Sequence, residues 1–189
     1  MKRLAALIVI LVFTLTSLVG CGSNTEVDGW QDFSNEEVSF SYPPNWKPIK
    51  YKKDANMAQM IEAIFGAPVG LGEFQPNVNL MVDNFSASSP SAEDLADSAD
   101  KMFLEKGPEM GIQDYMRIRF ENKALQEVEA GLLVSEYTIV KSKNRLRNKQ
   151  LIIPLENKAY ILTVTSEINQ WKDYESVFNE IIDSVNIIN

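Results

Sequence analysis

The longest unbroken apolar run in the chain is residues 4–13, preceded by Lys2 and Arg3 and followed by a more polar stretch that ends in Gly20. This is the three-part layout of a secretory signal. Ten apolar residues are half of the roughly 20 that a membrane-spanning helix needs, which argues against an uncleaved anchor. Leu18-Val19-Gly20-Cys21 then reads as a lipobox. Small residues let a peptidase hold the extended backbone closely between Gly20 and Cys21, and the thiol of Cys21 can form the thioether of a diacylglyceryl group. Two acyl chains suffice for stable attachment where one is marginal. The expectation is a signal peptide over 1–20, a lipidated tether over 21–32 and one folded domain over 33–189. Residues 22–29 (GSNTEVDG) lack apolar periodicity. As a flexible coil, eight residues span about 16 Å, keeping the domain close to the bilayer.

Beyond the tether, short periodic stretches alternate with turn signals. Val38-Ser39-Phe40-Ser41-Tyr42 has the period of two of a half-buried strand, stopped by Pro43-Pro44-Asn45. Residues 46–51 suit an edge strand running back, where Pro48 is tolerated. Met57, Met60, Ile61, Ile64 and Phe65 recur at helical spacing and predict a short amphipathic helix over 55–65, ended by Gly66. Its Met-rich face fits a surface ligand groove or, more commonly, the cover of a sheet edge. Val78, Leu80 and Val82 predict a strand. Ser91, with Asp94 three residues on, predicts a capped helix with Leu95, Ala99, Met102 and Phe103 as its buried stripe and Gly107-Pro108 as its stop.

The second half reads as strands: Met116, Ile118 and Phe120 in alternation, a pair near 124–128 and 132–140, and a hairpin of 145–153 with 159–165 turning at Glu156-Asn157-Lys158. A final helix over 170–185 carries Trp171, Tyr174, Val177, Phe178, Ile181, Ile182 and Val185 on one face. The order strand–strand–helix–strand–helix–strands–helix argues for an α+β domain with helices on an antiparallel sheet.

Composition narrows the chemistry. The 189 residues include no histidine and one cysteine. With Cys21 lipidated no thiol remains, so disulfides, thiolate metal sites and histidine-based triads are all unavailable. Removing residues 1–20 takes away two cations and no acid, leaving 16 cations against 26 acids, a net charge of −10. Such a domain repels nucleic acid and anionic lipid headgroups, so neither is expected as its main partner.

Several of these residues together resemble the PsbP-like domain, named for the extrinsic protein of the photosynthetic oxygen-evolving complex. They are Phe40-Ser41-Tyr42-Pro43 with Trp46, Asn77-Val78-Asn79-Leu80, the Ser91-Ala92-Glu93-Asp94-Leu95 helix start, Ala159-Tyr160-Ile161-Leu162-Thr163, and Tyr174, Phe178, Ile181 and Ile182 of the last helix. The likeness covers roughly 33–187 and rests on packing and turn positions. It implies an α/β/α sandwich with a central antiparallel β-sheet flanked by helices. It also implies the accessory style of the photosynthetic members, which are non-enzymatic and dock on membrane complexes. Family metal sites that use histidine have no counterpart in this chain.

Three constellations could carry chemistry. Asp94, Asp97 and Asp100, with Glu93, crowd one helix side, either as a solvated acidic face or as oxygen ligands for calcium. Calcium, however, needs 6–8 oxygens, usually from a bent loop. Lys141, Lys143, Arg145, Arg147 and Lys149 occupy every second position. In extended chain they share one face, either as a solvent-facing hairpin protected from edge pairing or as a contact patch for anionic headgroups, wall polymer or an acidic partner. Trp30, Phe33, Phe40, Tyr42, Trp46 and Phe74 form either core or a stacking pocket. Ser98-Ala99-Asp100-Lys101 has the serine–lysine spacing of a histidine-free nucleophile, but mid-helix the serine is poorly exposed.

The sequence therefore predicts no catalysis, no metal and no cofactor. It predicts a membrane-anchored extracytoplasmic lipoprotein, at the cell surface or in the periplasm, that docks on a protein or envelope partner. The alternative is a small-molecule or ion-binding lipoprotein with an aromatic and Met-lined pocket near Trp46, Met57 and Met60.

Overall fold

The computed structural model describes residues 29–50, 60–70, 73–88 and 90–188. Among the described residues, two antiparallel sheets, two α-helices and a 3-10 turn at Pro108–Met110 make up the domain. Strands β1 (Gln31–Ser34) and β2 (Val38–Tyr42) form a hairpin, and after it β3 (Lys47–Pro48), β4 (Ile61–Gly66) and β5 (Asn77–Asn84) begin a second sheet. Helix α1 (Ala92–Lys106) precedes four long strands, β6 (Ile112–Leu125), β7 (Val128–Ile139), β8 (Arg145–Pro154) and β9 (Lys158–Glu167). Helix α2 (Trp171–Asp183) and β10 (Asn186–Ile187) close the fold. The large sheet has the order β3-β4-β5-β9-β8-β7-β6, and the small one β1-β2-β10.

Period-two patterning puts one set of side chains from the large sheet into the main core. Leu80 faces Leu162, Leu162 faces Leu151 and Leu151 faces Leu132 across four neighbouring strands. Phe178, Ile181 and Ile182 of α2 join this core, as do Val38 and Phe40 of the small sheet. The other face carries a smaller core in which Ala92 and Ala96 of α1 meet Leu133 and Ile152. The result is an α+β, α/β/α arrangement in which α1 lies on one face and α2 shares the other with the small sheet.

Ser91 caps α1 as its sequence suggests: its Oγ accepts from the Asp94 amide at 3.1 Å. The predicted hairpin of 145–153 with 159–165 is present as β8–β9, with Pro154 ending β8 opposite Ala159.

Four expectations are corrected. The helix over 55–65 gives way at its C-terminal half to strand β4; residues 55–59, with Met57, lie outside the described residues. Ile64 and Phe65 pair with Asn79 and Val78 of β5, and a bulge between Ile61 and Ala63 shifts the register. A short apolar run is ambiguous in period, and pairing with a neighbouring strand decides it. Second, Lys47 and Pro48 do not return along β2 but start the edge of the large sheet against β4. Third, α1 buries Ala92 and Ala96 rather than the stripe of Leu95, Ala99, Met102 and Phe103, which is only half-buried. Small side chains are needed there because the helix approaches the sheet at Gly131, where a Cβ would lie 2.6 Å from the Phe120 ring and 2.9 Å from Ala92. Fourth, β6 continues through Leu125 and turns at Gln126 (φ 52°) directly into β7, so no separate strand follows at 124–128. Bulges in β6 after Gln113 and after Arg117 leave Met116 and Ile118 exposed.

Candidate functional site

Gly20 and Cys21, the proposed cleavage and lipidation residues, lie outside the described residues. The first described residues, Gly29 and Trp30, lead directly into β1.

The basic row does not form one free face. Glu136, its side chain 6% exposed, accepts from both Arg145 (Nη2, 3.0 Å) and Arg147 (Nε, 2.9 Å). Cross-strand register explains the pairing, because Glu136 of β7 stands directly opposite Arg147 of β8. The Arg147 guanidinium also lies over the Trp171 ring, 5.4 Å from its centroid. Lys149 donates to Asn179 of α2 at 2.7 Å, and burial pulls its ammonium below the usual lysine range. Three of the five cations thus lie toward α2, two of them clamped on a buried carboxylate. Lys141 and Lys143 stand exposed in the β7–β8 turn, where Lys143 takes a left-handed φ of 61°, and Arg145 is exposed as well while it holds Glu136. Beside that turn, a shallow cleft of about 360 Å³ is lined by Lys143, Asn144, Arg145, Glu167, Ile168 and Asn169.

The acidic helix face is also largely occupied. Arg117 of β6 reaches Asp97 at 2.7 Å and Asp100 at 3.0 Å, and the Tyr115 hydroxyl donates to Asp100. Burial first, and then the Asp100 carboxylate, push the Tyr115 hydroxyl well above the ordinary tyrosine value. Asp94 accepts from its own cap, Ser91, at 2.6 Å. The cation that balances this face is therefore a guanidinium. Among the described residues no group of three or more acidic or other ligating side chains could hold a metal ion. Ser98, expected from its mid-helix place to be poorly exposed, stands exposed instead, because α1 buries Ala92 and Ala96 and leaves Ser98 off that face.

Most of the aromatic candidates pack as core. Tyr42 stacks on Phe65 with centroids 3.9 Å apart, and Phe33 and Phe40 close around the same ring. Trp46 is 3% exposed and edges against Tyr174 and Phe178 of α2. Among the described residues α2 fills the space beside Trp46, and Met57 of the expected pocket lies outside the described residues. Phe74 is half-buried and Met60 lies just before β4.

Two arrangements had no clear signal in the sequence. Glu37, just before β2, accepts from Lys158 at 2.8 Å and from the Tyr160 hydroxyl at 2.7 Å, joining the small sheet to the large one. On the α1 side of the large sheet, a polar seam runs Ser135–Asn148–Thr165–Asn77 across four strands, with Ser135, Asn148 and Thr165 all buried. These positions alternate with apolar ones in the same strands, so period alone marks them as solvent-facing. Among the described residues no helix is long and apolar enough to cross a membrane.

No known family's sequence model matches the chain, and no curated protein matches it. Solved structures do. The cyanobacterial PsbP, CyanoP, of Synechocystis sp. PCC 6803 superposes with a TM-score of 0.64 at 15% identity, covering 90% of this chain and 98% of its own. LpqN of Mycobacterium tuberculosis, described as involved in cell envelope biogenesis, gives 0.55 at 10% identity over 86% and 87%. PA94 of Pseudomonas aeruginosa, of unknown function, gives 0.51 at 15% identity over 82% and 94%. At such identities the likeness speaks for the fold alone, and the fold is PsbP-like.

Proposed function

We propose that this chain is a lipoprotein, anchored through a diacylglyceryl group on Cys21, whose PsbP-like domain serves as a non-enzymatic accessory protein docking on a membrane or envelope complex. One observation carries the reading: the lipobox Leu18-Val19-Gly20-Cys21 is followed, after the eight residues of 22–29, by the start of the fold. Within the described domain Phe33, Phe40, Tyr42 and Trp46 pack as core, Asp97, Asp100 and Glu136 are met by arginines, and the sequence there holds no cysteine or histidine. The likeness to LpqN, described as involved in cell envelope biogenesis, supports an envelope setting.

The anchor is tested by expressing the chain in a lipoprotein-processing bacterium and weighing its N-terminal peptide. The wild type is expected to begin at a lipidated Cys21, and Cys21→Ser to accumulate as unprocessed precursor. A Cys21→Ser protein that matures and is released normally overturns the reading. Crosslinked pull-down from intact cells then separates docking from solitary ligand binding. Recovery of one stoichiometric complex fits docking, and recovery of the anchored protein alone fits ligand binding.

A further inference from the structure

The strand registers bring the entry of the chain and its basic turn to one end of the molecule. Gln31, the first residue of β1, faces Tyr42, and a short loop later Lys47 faces Gly66. From Gly66 the same level of the large sheet continues through Asn77, Thr165, Asn148 and Ser135. The β7–β8 turn lies just past that level: Thr138 faces Arg145, and the Ile168 amide donates to the Arg145 carbonyl at 3.0 Å. Residues 141–144 therefore project from the end of the sheet at which Trp30 enters.

This end gathers more cations than the opposite one, among acids that include Glu105, Glu109, Asp114, Glu167 and Asp173. Lys141 and Lys143 are exposed and form no ion pair among the described residues, and Arg145 is half-exposed while it holds Glu136. Lys47, at the start of β3, and Lys172, in the first turn of α2, stand at the same end. The opposite end carries Asp83, Glu127, Glu129 and Glu156. Apolar side chains are exposed beside the cations. The Val140 amide donates to the Gly111 carbonyl at 2.9 Å, which sets Val140 (47% exposed) next to Met110 (41%), and Leu104 (66%) stands out from the last turn of α1. Cations flanking exposed aliphatic side chains are the composition of a surface that lies in the headgroup region of a bilayer.

From these placements we infer that the β7–β8 turn, through Lys141 and Lys143 with Val140 and Met110 beside them, contacts the anionic phospholipid headgroups of the membrane that holds Cys21. The inference rests on the lipid-anchor reading for its geometry. Eight residues, 22–29, separate Cys21 from Trp30, and the coil expected from their sequence spans about 16 Å. The turn lies four to five strand spacings, or roughly 19–24 Å, across the sheet from β3. A domain tethered so closely at that end brings the turn to the bilayer while its acidic end points away, which like-charge repulsion from the lipid also favours.

The test uses Ser142→Cys, labelled with a solvent-sensitive fluorophore, in the full chain on vesicles of phosphatidylcholine alone or with phosphatidylglycerol. Acrylamide, an uncharged quencher, reports exposure. The label at position 142 is expected to become several-fold less accessible on the phosphatidylglycerol vesicles only. A label introduced by Glu156→Cys at the far end should stay equally accessible on both. Lys141→Gln with Lys143→Gln, which spares the Arg145–Glu136 pair, should abolish the protection. The same double substitution should weaken the electrostatic part of vesicle binding by about 30-fold, roughly fivefold per cation. Equal access at position 142 on both vesicle types overturns the proposal, as does protection that survives the double substitution; a protein or wall-polymer partner for the turn would give the first of these results. The mass of the Cys21 peptide decides the anchor separately, since quenching reads contact of the turn with lipid however the chain is held.

Discussion

At the scale of the residue, Glu136 shows how a surface-looking pattern can hide a buried charge. Glu136 and Arg147 both sit in alternating strands and both read as solvent-facing, yet α2 and its Trp171 cover the position where they meet. A buried carboxylate costs several kcal/mol unless it is paired, and two guanidiniums meet it here. Glu136 is the more replaceable side of the pair, because the arginine side chains reach water once it is gone, whereas the buried Glu136 carboxylate cannot when an arginine is removed. Arg147→Met is therefore expected to lower the unfolding free energy by about 2–3 kcal/mol and Glu136→Gln by less, about 1–2 kcal/mol. Urea denaturation at an unchanged slope checks the order of the two; equal losses would mean that the pair is effectively solvated.

At the scale of the element, the contact of α1 with the sheet is set by what is missing at residue 131. Gly131 has no Cβ, so the Phe120 ring and Ala92 close over its backbone. Adding one methyl group must move an aromatic ring and a helix together, and overpacking of that kind typically costs about 1–3 kcal/mol. Gly131→Ala should show that loss in thermal or urea unfolding, and a wild-type melting curve would rule out the tight approach. Strand β4 makes the complementary point. Its five apolar and small residues fit either period, and their pairing to β5 rather than their own spacing makes them a strand. By contrast α1 and the β8–β9 hairpin were legible in the sequence, because a cap at Ser91 and a turn at 155–157 are local features.

At the scale of the whole molecule, the two sheets are held in register by Glu37, Lys158 and Tyr160. The hydrogen bond from Lys158, and then that from Tyr160, lower the Glu37 carboxyl below the ordinary glutamate value of 4.5. Burial, and then the Glu37 carboxylate, push the Tyr160 hydroxyl up to about 12. The two shifts act at opposite ends of the pH scale. A depressed carboxyl contributes stability that is present above its unfolded value and is lost as pH falls through the folded one. A raised hydroxyl contributes stability that is complete below its unfolded value of 10.0 and is lost as pH rises through about 12. Unfolding free energy measured against pH is expected to be level near neutrality and to fall on both sides. Glu37→Gln should flatten the acid limb and Tyr160→Phe the part of the alkaline limb between about 10 and 12. Limbs unchanged in these variants would place the acid and alkaline losses elsewhere.

The sequence by itself determined what depends on neighbours along the chain: the apolar run ahead of Leu18-Val19-Gly20-Cys21, the capped helix, the β8–β9 hairpin, the wide apolar face of the last helix, and the absence of imidazole. The packing positions also carried the resemblance that the fold bears out. What only the tertiary structure decided depends on residues far apart in the chain. β2 gains β10 as a neighbour from the other end of the sequence; Arg147 and Lys149 find partners on α2; and the basic turn comes to the end of the molecule where the chain enters. Periodicity reports only whether a side chain faces inward or outward on its own element. Which surface covers that face, and which charges meet there, is set by the antiparallel register of strands that close long loops, and no local pattern encodes it.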